Sequence, residues 1–319
     1  KILHLNQIIT MLDRSFIRQS AAAAGFDLCG VAPCRHLVRN EQFFRRWLGD
    51  GRHASLGYLE RNLDKRFDVR RLVEGAQTVV VCAVGYKNGL SDGYPDDFRA
   101  KIASYALTAD YHATIKGMLG DLFGRLRAAE PALAGRAFVD SAPLVEKQLA
   151  VEAGLGWIGR QSLLVTPRFG SFVLLGELVL DAACDRYDEP LAGVGCGSCR
   201  RCVEACPTGA VCNDRAIDAR RCISCHTIER TPAAEIALDG WIFGCDACQS
   251  RCPYNLRAPL HLHPAFDPLF DPLSFPPERW LAMEEAEFRT SFGRTPLMRS
   301  GLRRLQANAA QNLRRKGRE

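Results

Sequence analysis

The sequence lacks the features that mark membrane, exported and fibrous proteins. It holds no uncharged apolar run of about 18 residues, which excludes a transmembrane helix. The first residues, Lys1–Leu12, include polar side chains and no small-residue cleavage site, so we expect no signal peptide. There is no long internal repeat. A composition of 47% hydrophobic and 24% charged residues excludes a disordered chain, a collagen-like repeat and a coiled-coil rod.

A strong excess of one charge is also missing. The 42 basic and 36 acidic residues leave a formal net charge of +6. This mild balance permits a polyanionic partner but does not demand one. A length of 319 residues suggests about two domains.

Cysteine, in contrast, is abundant and concentrated. Ten of the 14 cysteines lie between Cys196 and Cys252. A chain without an export signal is expected in the cytosol, where thiols stay reduced, so a disulfide framework is the weaker interpretation. A dense local group of thiols indicates metal binding.

Two groups of these cysteines have the spacing of bacterial ferredoxins. The first reads C-x2-C-x2-C-x3-C-P and the second C-x2-C-x3-C-P, with a further cysteine upstream of the second. In two-cluster ferredoxins the fourth cysteine of such a run ligates the other cluster. We therefore predict one [4Fe-4S] cluster on Cys196, Cys199, Cys202 and Cys252, and another on Cys206, Cys222, Cys245 and Cys248.

Two alternatives to this ligand set remain open. Paired C-x2-C groups also form zinc ribbons, but a four-ligand zinc site has no use for a third cysteine at the same spacing and a fourth before proline. Cys225 could replace Cys222 as a ligand, although we expect it to be a spare thiol.

The apolar pattern predicts an α+β fold in three parts. Helices are predicted over residues 8–23, 41–48, 109–129 and 142–152, and strands over 27–33, 78–86, 138–140, 162–166 and 172–180. These elements make residues 1–183 a domain with a mixed sheet and flanking helices. Residues 184–260 form a ferredoxin-like domain that needs metal for stability, and residues 261–319 form a helical, basic C-terminal segment.

One glycine motif does not fit the site that it suggests. Gly154, Gly156 and Gly159 spell the dinucleotide-binding pattern G-x-G-x-x-G. That pattern needs a strand before it and a helix after it, and here the predicted order is reversed. We interpret the motif as a helix-to-strand turn and expect no NAD site.

Over nearly its whole length the chain resembles the epoxyqueuosine reductases. The motifs run, in this order, through KRFDVRRLVEGA, DYH, VDSAPLVEK, GLGWIG, LVTPRFGSFVLLGEL, CGSCRRCVEACPTGA, RCIS and GCDACQSRCPYN. That family reduces epoxyqueuosine to queuosine at the wobble position of tRNA, the last step of queuosine biosynthesis, with cobalamin and two [4Fe-4S] clusters. The resemblance implies an oxidoreductase that binds cobalamin in residues 1–183 and the anticodon loop of tRNA.

The resemblance also implies roles for individual residues. Asp140 matches the family's proton donor, and Lys147 matches a basic position that faces tRNA. Cobalamin contacts are implied for Arg66, Asp140, Leu164, Val165, Thr166, Gly170 and Leu175. One position departs from the pattern, because Ala103 stands where some members have a cysteine near the cobalt.

Asp140 suits the role of a general acid on other grounds as well. It ends a predicted strand, where its side chain can project into a pocket. A helix N-terminus nearby would lower its pKa and burial would raise it, and we expect burial to dominate. The alternative is that Asp140 caps a helix that begins at residue 142. For His112 we expect a packing or surface role, with cobalt ligation as the weaker alternative.

The implied reaction also needs partners. We expect an external electron donor such as a flavodoxin or ferredoxin system, a cytoplasmic monomer without membrane contact, and tRNA contacts from basic residues such as Arg303, Arg304 and Arg314. The rival functions are a cobalamin-dependent reductive dehalogenase and a plain electron-transfer protein. The first is typically exported, and we expect no twin-arginine leader here. The second does not need the long segment ahead of the cysteines.

Overall fold

The computed structural model describes residues 11–229 and 236–316. Within these residues the strands are β1 (Leu28–Pro33), β2 (Thr78–Gly85), β3 (Lys101–Ile102), β4 (Gly135–Phe138), β5 (Trp157–Ile158), β6 (Leu164–Val165), β7 (Val173–Leu180) and β8 (Trp241–Phe243). The helices are α1 (Arg14–Ala23), α2 (Val38–Gly49), α3 (Leu63–Arg66), α4 (Tyr111–Ala129), α5 (Glu146–Glu152), α6 (Arg201–Glu204), α7 (Ile223–Ile228), α8 (Ala247–Ser250), α9 (Pro253–Arg257), α10 (Pro277–Ala282), α11 (Glu285–Phe292) and α12 (Leu302–Lys316). No helix in these two stretches is long and apolar enough to cross a membrane. The start of the first predicted helix, residues 8–10, lies outside the described residues.

Four strands form the central sheet in the order β1-β2-β7-β4, and each pairing is antiparallel. The β2 sequence TVVVCAVG is buried along its whole length, as its run of β-branched residues predicts. The prediction of a mixed sheet is therefore wrong, and the parallel pairing instead joins β3 to β8. An apolar run predicts a buried strand but not the direction of its neighbours, because the connections between strands decide that direction.

The sheet separates two apolar cores. On one face α1 and α4 pack through residues such as Ile17, Ile115 and Leu119. On the other face α5 packs through Leu149 and Ala150. Because β4 is the edge strand, the chain that leaves it lies at the side of the sheet, where it can form the wall of a cavity.

The C-terminal segment belongs to a third core around β3 and β8. Trp280 stacks on Phe292 with ring centroids 5.0 Å apart, and Leu305 of α12 is buried beside them. The side-chain amide of Asn308 donates to the Ile242 carbonyl at 2.8 Å, which fastens α12 to β8. The basic segment is therefore helical, as predicted, but it is an integral part of the fold and not an appended tail.

Two boundaries near Asp140 differ from the predictions. β4 ends at Phe138, before Asp140, and α5 begins at Glu146, four residues later than predicted. Asp140 has a φ of +53°, a left-handed conformation that cannot continue a strand. The Ser141 N–H then donates to the Val139 carbonyl at 2.6 Å. Residues 139–145 therefore form a tightly turned loop, which we call the Asp140 loop.

Candidate active site

The Asp140 loop forms one wall of a cavity of about 600 Å³. Other walls come from the start of α4, from the segment around α3 and from the C-terminal part of the chain. The lining includes Tyr58, Arg66, Tyr105, His112, Asp140 and Arg299. Residues that are far apart in the sequence thus meet around one opening.

The carboxylate of Asp140 is held inside this cavity by charged partners. Its Oδ2 lies 3.1 Å from His112 Nε2 and 4.0 Å from an Arg299 guanidinium nitrogen. The backbone N–H of Asp140 donates to Glu146 Oε1 at 2.6 Å. The N-cap position of α5 is Val145, without a side-chain cap, so the interpretation of Asp140 as a helix cap is wrong.

The pKa of Asp140 moves in the direction opposite to our expectation. The hydrogen bond from His112 lowers it, and this effect outweighs the burial that would raise it. The same hydrogen bond raises the pKa of His112 to about 8. At neutral pH the two side chains therefore form an imidazolium–carboxylate pair with one proton between them.

His112 is the functional residue that the sequence argument undervalued. Asp110, the N-cap of α4, accepts a hydrogen bond from the His112 backbone and lies 2.7 Å from His112 Nδ1. This second contact turns Nε2 toward Asp140. The signal was the motif DYH itself, because an N-cap aspartate two residues before a histidine can orient the imidazole ring.

Arg66 enters the same cavity with unused donor capacity. Its guanidinium lies 5.7 Å above the Phe44 ring, and Nη2 reaches the Tyr58 carbonyl at 3.5 Å. Its Nε is buried without a hydrogen-bond partner among the described residues. A buried donor of this kind favours a polar ligand group in the cavity, which fits the phosphate or amide groups of a corrinoid cofactor.

The other predicted cobalamin contacts lie in the segment from β6 to β7. Leu164, Val165 and Thr166 are covered by protein, and the Thr166 hydroxyl already donates to the Gly170 carbonyl. Leu175 is half-buried on β7. None of these residues lines the 600 Å³ cavity. Their contact with cobalamin stays a prediction.

Lys147 is oriented inward at its charged end. Its Nζ donates to the Ser162 carbonyl at 2.7 Å. Burial lowers the pKa of this ammonium, although part of the side chain is exposed. The contact of Lys147 with tRNA stays a prediction.

The structure brings the first predicted set of cluster cysteines together. Burial raises the pKa of the Cys202 thiol, and the nearby Cys196, Cys252 and Cys199 raise it further. Cys196 and Cys199 also lie near enough to raise the pKa of Cys252. All four predicted ligands of this cluster are thus neighbours.

The second predicted set is also grouped. Burial raises the pKa values of Cys245 and Cys248, and the nearby Cys222 raises both further. Cys206 lies near Cys222 and Cys248. Cys225 lies inside α7, one turn beyond Cys222. It is close enough to Tyr58 at the cavity to add to the rise in the pKa of that phenol, which burial causes mainly.

The chemistry of this donor set fits cubane clusters better than single ions. Within the described residues no group of three or more His, Cys, Asp or Glu side chains converges to hold one metal ion. A cubane takes its thiolates on four separate irons and does not require that convergence. The assignment of individual ligands stays a prediction.

The second set of cysteines adjoins the cavity. Asp246, between Cys245 and Cys248, accepts hydrogen bonds from the Ser104 N–H at 2.7 Å and from its hydroxyl at 2.8 Å. Tyr105, which follows Ser104 in the sequence, lines the cavity. Ala103 is buried against Gly244 and does not line it.

Comparisons with known proteins agree with this arrangement. Residues 66–141 match the family model "Epoxyqueuosine reductase QueG, DUF1730", and residues 195–255 match the "4Fe-4S double cluster binding domain". The epoxyqueuosine reductase of Cyclobacterium marinum is 39% identical over 92% of this chain and 94% of its own length. That of Pseudomonas aeruginosa is 34% identical over 91% and 81%.

Solved structures lead to the same family. An epoxyqueuosine reductase crystallised with an epoxyqueuosine-modified tRNA-Tyr stem loop is 26% identical and covers 94% of this chain and 80% of its own, with a TM-score of 0.84. A Bacillus subtilis structure, 25% identical with the same coverage and TM-score, is described with its catalytic aspartate loop swung out of the active site. The chain belongs to the epoxyqueuosine reductase family, an oxidoreductase family.

Proposed function

We propose that this protein reduces the epoxide of epoxyqueuosine in tRNA to the alkene of queuosine, with Asp140 and His112 as the proton source. The observation that carries the proposal is the Asp140–His112 pair inside a cavity that adjoins the cluster cysteines. The reaction consumes two electrons and two protons and releases the epoxide oxygen as water. A chain with a proton source at the cavity and two electron carriers, one of them linked to the cavity wall, meets these needs.

The cofactors of the family supply the redox chemistry. When bound, two [4Fe-4S] clusters would supply electrons one at a time, and cobalamin would supply a reduced cobalt centre with the nucleophilicity needed at an epoxide carbon. The protein positions the substrate and supplies protons. Arg66, with its unpartnered Nε, is the described residue best placed to bind a polar group of the cofactor.

The proton transfer uses the Asp140–His112 pair as one acid. At neutral pH the shared proton resides mainly on His112 Nε2, since the pKa of Asp140 is lowered and that of His112 is raised. Asp140 Oδ2 lies at the cavity and passes this first proton, which His112 makes available, to the departing oxygen. The pair then takes up a second proton from solvent, which completes the water that leaves. A positioned acid of this kind contributes roughly 10²–10⁴-fold to the rate.

The substrate reaches the cavity as a nucleotide of the anticodon loop. Bases of such a loop are already unpaired, so a pocket can accept one without opening a duplex. Arg299 at the cavity provides positive charge for the tRNA backbone. By analogy with the Bacillus subtilis structure, the Asp140 loop would leave the cavity and return during this exchange. A tRNA substrate also places the reaction in the cytoplasm.

An external one-electron donor would deliver electrons at the first predicted cysteine set. Arg200, Arg201 and Arg251 adjoin the cysteines of the first predicted set, and all three side chains are exposed. Glu204 is an exposed acidic residue of α6, the helix that also carries Arg201. This basic surface suits an acidic donor of the flavodoxin or ferredoxin kind.

The experiment that tests the function is a single turnover. Anaerobic protein loaded with iron, sulfide and cobalamin is reduced with dithionite and mixed with epoxyqueuosine-containing tRNA. We expect queuosine to form, as measured by mass spectrometry of the nucleosides. Fully loaded, reduced protein that leaves epoxyqueuosine unchanged would contradict the proposal and favour a plain electron-transfer role.

A further inference from the structure

A second acidic centre lies behind Asp140. Glu177 on β7 is fully buried, and neither of its carboxyl oxygens has a hydrogen-bond partner among the described residues. In the sheet register it lies opposite Phe138, the last residue of β4. Glu177 is therefore enclosed directly below the start of the Asp140 loop.

Its neighbour is the carboxyl group of Glu146. Burial raises the pKa of both carboxyl groups, and the proximity of Glu146 raises that of Glu177 further. Two carboxylates cannot donate to each other, so the contact becomes a hydrogen bond only when one of them carries a proton. Two neighbouring carboxyl groups in such an enclosed place do not both ionise, so the pair retains one proton.

Glu146 links this pair to the Asp140 loop. Its Oε1 accepts the Asp140 backbone N–H at 2.6 Å. Asp140 itself has the left-handed φ of +53°, a conformation that is uncommon for residues other than glycine and that local contacts can hold. The contact from Glu146 is such a restraint, because it acts on the backbone of the residue whose conformation is unusual.

We propose that Glu146 and Glu177 share one proton and that this pair fixes the backbone of Asp140, so that Glu146 is a positioning residue for the proton donor. The inference rests on the proposed function and adds to it the device that holds the loop in the cavity. Nothing in the reaction consumes the shared proton.

Other titratable groups adjoin the pair from each side. Asp140 raises the pKa of Glu146, and Lys147 on the same helix lowers it. Cys82 on β2 lies near Glu177. Beyond Asp140 lie His112 and Arg299, both of which favour its anion. Together these groups keep Asp140 ionised, while Glu146 and Glu177 hold one proton between them.

The test compares three variants in the single-turnover assay. Glu146→Ala removes the acceptor for the Asp140 N–H, and we expect the rate to fall roughly 10- to 100-fold because the acid is misplaced. Glu146→Gln retains an acceptor oxygen and gains an amide that donates to ionised Glu177, so it should restore most of the rate. Glu152→Ala, at the other end of α5, is the matched control, since its carboxylate pairs with Arg35 instead.

Iron content, cobalamin affinity and tRNA affinity should be equal in all three variants, which separates misplacement from misfolding. A wild-type rate in Glu146→Ala, or a rate in Glu146→Gln as low as in Glu146→Ala, would overturn the positioning role. Wild-type protein that forms no queuosine would instead refute the proposed function.

Infrared spectroscopy tests the shared proton directly. At neutral pH the wild-type protein should show the C=O stretch of a buried protonated carboxylic acid, shifted in D₂O. Glu177→Gln should lose this band while keeping its cofactors, because its amide supplies the hydrogen to Glu146. A wild-type spectrum without the band would overturn the shared proton.

Discussion

Replacing Asp140 by asparagine keeps the size of the side chain and removes its acidity. Because Asp140 bonds to His112 and does not cap α5, the substitution tests the chemistry and not a helix cap. We expect single-turnover epoxide reduction to fall roughly 10²–10⁴-fold, the usual contribution of a positioned acid. The cofactors should still bind. Asp121→Asn, on the exposed face of α4, is the control, and equal rates in the two variants would argue against the assignment.

His112 gives the reaction a pH dependence of defined sign. Its pKa is raised to about 8, mainly by Asp140, so the ion pair is fully present below the ordinary histidine value of 6.5 and is lost as the pH rises through about 8. We expect the single-turnover rate to fall along that alkaline limb. In His112→Asn the limb should be absent and the rate low throughout. An unchanged limb in the variant would assign the titration to another group.

At the scale of the elements, helix α7 carries both candidate ligands for one cluster position, Cys222 and Cys225. Cys222 is the N-cap residue of α7 and lies near Cys206. Cys225 lies within the helix and is close to Tyr58 at the cavity. Two cubanes require about eight irons per chain. We expect Cys222→Ser to lose about half of this iron and Cys225→Ser to retain it, as measured by anaerobic iron analysis. The reverse result would exchange the two roles.

The elements also show what the sequence could and could not predict. The apolar runs of β2 and β7 predicted two buried central strands, because burial on both faces leaves a continuous signal. The ends of β4 and α5 were misplaced, because no pattern announces a left-handed aspartate. The meeting of Asp140 with His112 and the position of Glu177 opposite Phe138 depend on tertiary packing and strand order, which periodicity does not contain. The cysteine sets were predictable because a cluster imposes its own spacing on the chain.

For the whole molecule, the basic surface beside the first predicted cysteine set should control the entry of electrons. We expect Arg200→Glu together with Arg201→Glu to slow cluster reduction by a flavodoxin at least several-fold at low salt, because charge complementarity sets the association rate. Reduction by dithionite, followed by absorbance, should be unaffected. Arg39→Glu with Arg125→Glu makes the same charge change on other exposed surfaces. An equal effect of both pairs would mean that only net charge matters.

The hydrogen bonds from Ser104 to Asp246 tie the wall of the cavity to a residue between two cluster cysteines. A cluster destroyed by oxygen releases those cysteines, and the short segment that carries Asp246 loses its anchor. Ser104 and Tyr105 then lose their support as well. Damage by air would therefore spread from the electron path to the binding cavity, so that affinity for cobalamin and for tRNA declines in step with iron.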